Sequence, residues 1–269
     1  MLNVTSLNTQ KISPCGRILV AVTTCSRPHL IQSYLEPLKQ CVEEVEDADL
    51  VVSVDGLSQH GNRRALDFAL SMGVSCVASD HSEGVGISKN RVVALLGGYE
   101  YYFFLDDDVQ VLSGRLFSKH VDLHLETGIN HFSLHDPSRL LGELGEPTKV
   151  DGGVIRHAMY GGAQVNFFTR RALQRVGGWH PSFAKIRRGG HTEHSHRVYR
   201  SRLCPAPFNL FDGLLDVCRL DDPPPVVNAL STGYKLGANR LFVLENELIE
   251  ENIAYMPFTA GSVGQMVNP

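Results

Sequence analysis

Residues 101–109 read Tyr-Tyr-Phe-Phe-Leu-Asp-Asp-Asp-Val. Five strand-forming apolar and aromatic residues in a row describe a strand buried on both faces, as in the middle of a parallel sheet. Three carboxylates follow at once. Adjacent like charges at a buried strand end repel one another and resist desolvation, so they call for a positive partner. A hard divalent cation suits them, because Mg²⁺ and Mn²⁺ take oxygen ligands and commonly bridge one or two carboxylates to phosphates. Asp106 and Asp108 are two apart and point the same way along an extended chain, whereas Asp107 points the other way and reads as a capping or supporting residue. The plain alternative is a solvated acidic turn.

The chain leading up to this strand alternates regularly. Residues 17–23 (RILVAVT) form a first buried strand, and Ser26 with Pro28 opens a helix running to about Val45, striped by Leu30, Ile31, Leu35 and Leu38. Pro37 inside it predicts a kink or two shorter helices. A second strand at 50–54, a helix at 62–72, a third strand at 74–78 and a helix at 87–96 follow, the last stopped by Gly97-Gly98. Such βα alternation predicts a Rossmann-like, mostly parallel sheet with helices on both faces. Ligands of such sheets sit beyond the carboxyl ends of the strands. Thr23 to Arg27, Asp55, Asp80 and Asp106 to Asp108 all fall there, and folding needs alone do not explain four polar stations at four strand ends.

The second half is less regular. A helix at about 116–126 and a short strand at 130–134 precede a Gly/Pro-bearing stretch, 136–153, too long for an ordinary loop and suited to an acceptor-facing segment. A strand at 163–168, a short helix at 169–176 stopped by Gly177-Gly178, and a polar helix led by Gly189-Gly190 and running to about Arg202 come next. Asp221-Asp222-Pro223-Pro224-Pro225 marks a stiff break, and the last forty-odd residues carry one apolar patch, Leu241 to Leu244, and an acidic run.

Composition narrows the function. A net charge of -4 argues against bulk electrostatic attraction to nucleic acid or anionic membrane, although Arg187, Arg188, Arg197, Arg200 and Arg202 cluster in sequence. The six cysteines show no metal-ligand spacing and read as reduced thiols. The first thirteen residues lack the apolar core of a secretion signal, and no apolar run is long enough to span a bilayer. The expectation is a soluble, cytoplasmic protein.

Taken together, Val22-Thr23-Thr24-Cys25-Ser26-Arg27-Pro28, Val54-Asp55-Gly56, Glu83 to Asn90 and Phe104-Leu105-Asp106-Asp107-Asp108 resemble the motifs of GT-A fold glycosyltransferases, closest in pattern to family 2. Gly161-Gly162-Ala163 and Gly177-Gly178-Trp179-His180-Pro181-Ser182-Phe183 are similar to that family's acceptor-side segment. The resemblance spans roughly residues 17–202. It implies a metal-dependent hexosyltransferase that moves a sugar from a nucleotide diphosphate, UDP-sugar favoured, to a hydroxyl acceptor with inversion. Residues 17–110 would form the nucleotide-sugar half, 111–220 the acceptor half, and 221–269 an extension after an N-terminal tail at 1–16. Thr23, Arg27, Asp55, Lys89, Asp106 and Asp107 would contact the donor, and Asp108 and Asp106 would hold Mn²⁺ or Mg²⁺ with a late histidine, here His196. Trp179, Gly162 and Arg197 would face the acceptor.

The sequence departs from that pattern where the family's catalytic acid is expected. Aligning on Arg197 puts His191 at the position of the general base and Glu193 at the second acid, and either is chemically able to take a proton. A Glu193–Arg197 pair at helical spacing also has a purely structural reading. The metal's further ligand is open among His191, His194, His196 and water. Zinc is the rival for the histidine run, and lacks supporting cysteines. A nucleotidyltransferase and a non-catalytic nucleotide- or carbohydrate-binding module are the competing functions. The acceptor would be a glycan, a protein or a modified nucleic-acid base.

Overall fold

A computed structural model describes residues 16–186, 189–220, 247, 251–259, 261 and 264–269 of the chain. The Arg187-Arg188 pair, the Asp221–Pro225 break, the 241–244 patch and most of the N-terminal tail lie outside the described residues.

The first half follows the alternation in the sequence. Strand β1 (Ile18–Thr24) leads to helix α1 (Pro28–Glu43), β2 (Ala48–Val54) to α2 (Asn62–Ser71), and β3 (Ser75–Ala78) to α3 (Val85–Leu95). Then come β4 (Tyr101–Asp106) and a short β5 (Val109–Val111). Helix α1 is one helix through Pro37, not two. The missing N–H of a proline costs one helical bond, but the buried stripe Leu30, Ile31, Leu35, Leu38, Cys41 and Val42 runs along both halves and ties them to the same core.

The second half contains α4 (Arg115–Thr127), β6 (His131–Leu134), β7 (Leu141–Glu143), β8 (Thr148–Val150), β9 (Gly153–Tyr160) and β10 (Val165–Thr169). Helices α5 (Arg170–Val176), α6 (Pro181–Ile186) and α7 (Gly190–Arg200) follow, then β11 (Phe208–Phe211), β12 (Cys218–Leu220) and a C-terminal β13 (Gln265–Val267). The long stretch at 136–153 is therefore not structureless. It supplies the short strands β7 and β8, which both pair with β9.

The main sheet has the order β13-β3-β2-β1-β4-β10-β6. Strands β1 to β4 run parallel, β10 and β13 are antiparallel to them, and β6, antiparallel to β10, runs in their direction again. Its centre is Val20, Val52, Phe103, Phe104 and Phe167, none of them exposed to water. A second sheet, β11-β9-β7 with β8, stands beside it, and Asn209 on β11 donates to the His131 carbonyl on β6 at 3.1 Å. The chain order reverses between β1 and β4, the topological switch point where open α/β sheets bind ligands. Thr23 is in register with Asp106 across that seam.

Candidate active site

A cleft of about 620 Å³ opens over the carboxyl ends of β1 and β4. Its floor holds Cys25, Asp55, Lys89, Asp106 and Asp108, and its far wall Gly161, Gly162, Gln164, Trp179, His180, Phe183 and His191. A smaller cavity of about 230 Å³, lined by Thr23, Thr24, Arg27, Asp106 and Asp107 among others, shares Cys25, Asp55, Val85 and Asp106 with it.

The strand period sorts the three aspartates. Asp106 and Asp108 are partly exposed and line the cleft, and Asp107 between them is buried. The Thr24 hydroxyl donates to Asp107 Oδ2 at 2.6 Å, and the Arg27 guanidinium pairs with its other oxygen. Burial pushes the Asp107 carboxyl up to about 7 against the pull of Arg27. Asp107 thus anchors Arg27, although it borders the smaller cavity. Arg27 also donates to Asp108 Oδ2 at 3.0 Å. Asp108 Oδ1 is buried and has no hydrogen-bond partner among the described residues. Lys89 Nζ stands 3.6 Å from Asp106 Oδ1 and 5.8 Å from the centre of the Trp179 ring. Burial raises the Asp106 carboxyl above its ordinary range, and the Lys89 charge opposes that.

An orphaned carboxylate oxygen beside a second cleft-facing carboxylate fits a small hard cation that takes only two ligands from the protein. Among the described residues, no three His, Cys, Asp or Glu side chains gather as a metal cluster. The histidine run fans out instead: at 3.6 residues per turn, His196 stands about 140° round the helix from His191 and about 160° from His194. His196 meets the Met159 carbonyl at 3.0 Å, outside the cleft, which corrects its expected place beside Asp108. His194 bonds the Gly177 carbonyl and stacks on Trp179, ring centres 4.3 Å apart. Only His191 turns into the cleft.

Two further expectations are corrected. Glu193 accepts from Arg197 at 2.8 and 2.6 Å in a pair whose side chains are each 1% exposed, and neither residue lines the cleft. Arg197 also donates to the Val176 carbonyl, so the pair ties α7 to α5 and has no surface to offer an acceptor. His191 differs in every respect. The Gly161 carbonyl favours a proton on its ring, and a neutral imidazole protonated at one nitrogen keeps a lone pair on the other. Burial and the Lys89 charge push the imidazole down to about 4.

Asp55 is present, but its carboxylate is largely occupied. Ser82 Oγ, Glu83 N and Gly84 N donate to it at 2.8 to 3.2 Å, which fixes the loop before α3. Thr23 lines the smaller cavity while its hydroxyl donates to the Leu105 carbonyl. Trp179 and Gly162 are in the wall. A Cβ on Gly162 would come within 2.7 Å of His135 Cβ, so only glycine lets the backbone lie that close. Sequence reasoning missed Asn62 and Asn90. Asn62, fully buried, accepts from Ser26 N at 2.6 Å and donates to the Asp55 and Gly56 carbonyls, joining the loops after β1 and β2. Asn90 accepts from Trp179 N and donates to Trp179 O, at 2.7 and 2.9 Å. Asparagine stands at each position in the sequence, but no local signal tells which distant backbone it will clamp.

Solved structures share this architecture. The mannosyltransferase PcManGT from Pyrobaculum calidifontis, in complex with GDP-Man and Mn²⁺, superposes with a TM-score of 0.54 over 72% of this chain and 56% of its own, at 15% identity. S. aureus TarS residues 1–349 in complex with UDP gives 0.51 over 72% and 57%, at 13% identity. The fold is GT-A-like. The chain spans a little over half the length of these two structures, and about a third of a longer TarS structure, where coverage is 35% and the TM-score 0.52. No protein-family model matches the sequence, and no curated protein matches it. In this GT-A-like frame the carboxylate floor lies at the end of the parallel sheet and the histidine wall belongs to the second half of the fold. No helix among the described residues is long and apolar enough to cross a membrane.

Proposed function

We propose that the protein is a metal-dependent glycosyltransferase that moves a sugar from a nucleoside diphosphate to an acceptor hydroxyl. One observation carries the reading: Asp106, Asp108, Lys89 and His191 line one cleft. Asp106 and Asp108 would hold Mn²⁺ or Mg²⁺, which supplies positive charge for the departing diphosphate. Lys89 adds a fixed ammonium on the same side, where it stabilises phosphate charge better inside a walled cleft than in water. Arg27, held by Asp107, keeps the Asp108 carboxylate in place.

His191 is the base. With its imidazole near 4, its proton affinity matches that of an ordinary carboxylate, about 3.9. That is why a histidine can stand where a carboxylate is expected. The acceptor oxygen bonds to the anomeric carbon as the bond from that carbon to the diphosphate oxygen breaks, and the hydroxyl proton passes to His191. An acceptor oxygen that attacks the anomeric carbon from the side opposite the diphosphate gives inversion. Bound diphosphate charge would raise His191 from its free value, strengthening the base when the donor is in place.

Calorimetric titration of UDP and GDP, with and without Mn²⁺, tests the reading. The expected result is metal-dependent binding of one of the two. If neither binds under any metal condition, the reading falls. Where a donor is found, His191→Ala should lower kcat by about 10²–10⁴-fold while leaving nucleotide affinity in place.

A further inference from the structure

We propose that Arg91 is a positioning residue for the floor of the cleft, held in place by the segment that ends in β13. The inference goes beyond the transferase reading and rests on it only for the identity of the ligand. Helix α3 divides its work among three successive residues. Lys89 lines the cleft, Asn90 clamps Trp179, and Arg91, fully buried, meets two acids. Its Nη2 donates to Glu83 Oε2 at 2.6 Å, and its Nη1 lies 3.9 Å from Asp55 Oδ1. Asp55 in turn accepts from Ser82 Oγ and from the backbone N–H groups of Glu83 and Gly84. The guanidinium thus joins two carboxylates that belong to one hydrogen-bonded loop. That loop and the start of α3 border the cleft through Ser82, Gly84 and Val85.

The segment ending in β13 rests directly on this ion pair. It is fastened on one side at Met256, whose N–H donates to the Val176 carbonyl at 3.0 Å and whose carbonyl accepts from Gly178 N at 2.8 Å. On the other side, Gln265 to Val267 pair with β3. Between the two, a Cβ on Gly264 would overlap Arg91 Cδ, and one on Gly261 would overlap the Glu83 carboxylate. Glycine at both positions lets backbone lie against the pair. A long arginine side chain has many rotamers to lose, and a guanidinium aimed at two acids keeps its aim only if the others are blocked. The backbone at Gly264 blocks them. Contact therefore runs from Gly264 through Arg91 to Asp55 and Glu83, and so to the loop at the cleft.

The test follows amide exchange by NMR on ¹⁵N-labelled full-length protein without nucleotide. Amides that exchange by local opening report on their own loop, whereas those of β1 and β4 report on global unfolding. Arg91→Met should speed exchange at Glu83 and Gly84 about tenfold, the worth of one hydrogen bond, beyond any change in β1 and β4. Gly264→Ala keeps the guanidinium and both acids and should act in the same direction, more weakly. It keeps the proposal falsifiable should Arg91→Met not fold. Arg91→Lys, which retains the charge, should recover part of the protection. In calorimetry at a temperature where each variant is folded, the nucleoside diphosphate that binds wild type should bind Gly264→Ala more weakly. The proposal is overturned if Glu83 and Gly84 exchange at the wild-type rate in Gly264→Ala, or speed up only in step with β1 and β4. It is also overturned if the loop loosens and nucleotide affinity stays unchanged. Wild type that binds no nucleotide removes the transferase reading, and the exchange experiment still decides whether Arg91 holds the loop.

Discussion

Two sets of carboxylates and cations in this molecule use the same ingredients for opposite ends. Glu193 and Arg197 are closed: both are buried, both oxygens of the acid are bonded to the guanidinium, and its third nitrogen donates to a backbone carbonyl. Asp106, Asp107 and Asp108 with Arg27 and Lys89 are open. Three acids face two cations, Asp108 Oδ1 has no hydrogen-bond partner among the described residues, and the two outer acids border a cleft. A closed pair holds elements together and has nothing left to give a ligand. An open one keeps unsatisfied charge where a ligand can reach it, at a cost in stability that the rest of the fold must bear.

The sharpest way to break this comparison is to open the closed pair. Glu193→Ala leaves a buried guanidinium without its counter-charge, and should destabilise the fold by about 3–5 kcal/mol, a fall in Tm on the order of 10 °C. The protein that remains folded should bind nucleotide normally. A variant as stable as wild type but unable to transfer sugar would put Glu193 back in the chemistry. The converse change simplifies the open set. Asp108→Asn should weaken metal-dependent nucleotide binding by roughly 100-fold, about 2.7 kcal/mol, with Tm unchanged or raised because a like-charge neighbour of Asp106 is gone. Calorimetry and a melting curve on one preparation read both arms. A large loss of stability would mean that Asp108, too, belongs to the scaffold.

The smallest effect is graded with pH, and it belongs to the half that α7 organises. Burial holds His120, His131 and His191 down at about 4. In the unfolded chain each titrates near 6.5, so as pH falls the unfolded state takes up protons first and gains on the folded one. The stability associated with these neutral rings is fully present above about 6.5 and is lost as pH falls towards 4. Denaturation at about pH 6 rather than 7.5 should show a loss on the order of 1–2 kcal/mol. His120→Phe, which keeps a ring among Phe103, Phe132 and Phe167, should reduce that loss. Equal acid sensitivity in the variant would assign the effect to other groups.

The same comparison shows which parts were legible in advance. The alternation of strands and helices from Ile18 to Asp106 depends on local periodicity and on polar punctuation at strand ends, so it was readable, including the outward-inward-outward order of the three aspartates. The elements β9 and β11 were not. The sequence Gly-Val-Ile-Arg-His-Ala-Met-Tyr mixes apolar residues with Arg156 and His157, and it becomes a strand because β7, β8 and β11 pair with it. The i,i+4 spacing of Glu193 and Arg197 announced a possible pair, but spacing does not tell which side of the helix will be buried.

What the sequence determined by itself is the parallel βα half and its acidic strand end, because hydrophobic period and strand-end chemistry are written within a few residues of each other. What only the tertiary structure decided is which of the helix histidines faces the cleft and which backbone group each ring meets. Those depend on partners far along the chain or on how α6 and α7 dock: Gly161 for His191, Gly177 for His194, Met159 for His196. An imidazole can donate or accept, and only the neighbour that packing brings to it settles which.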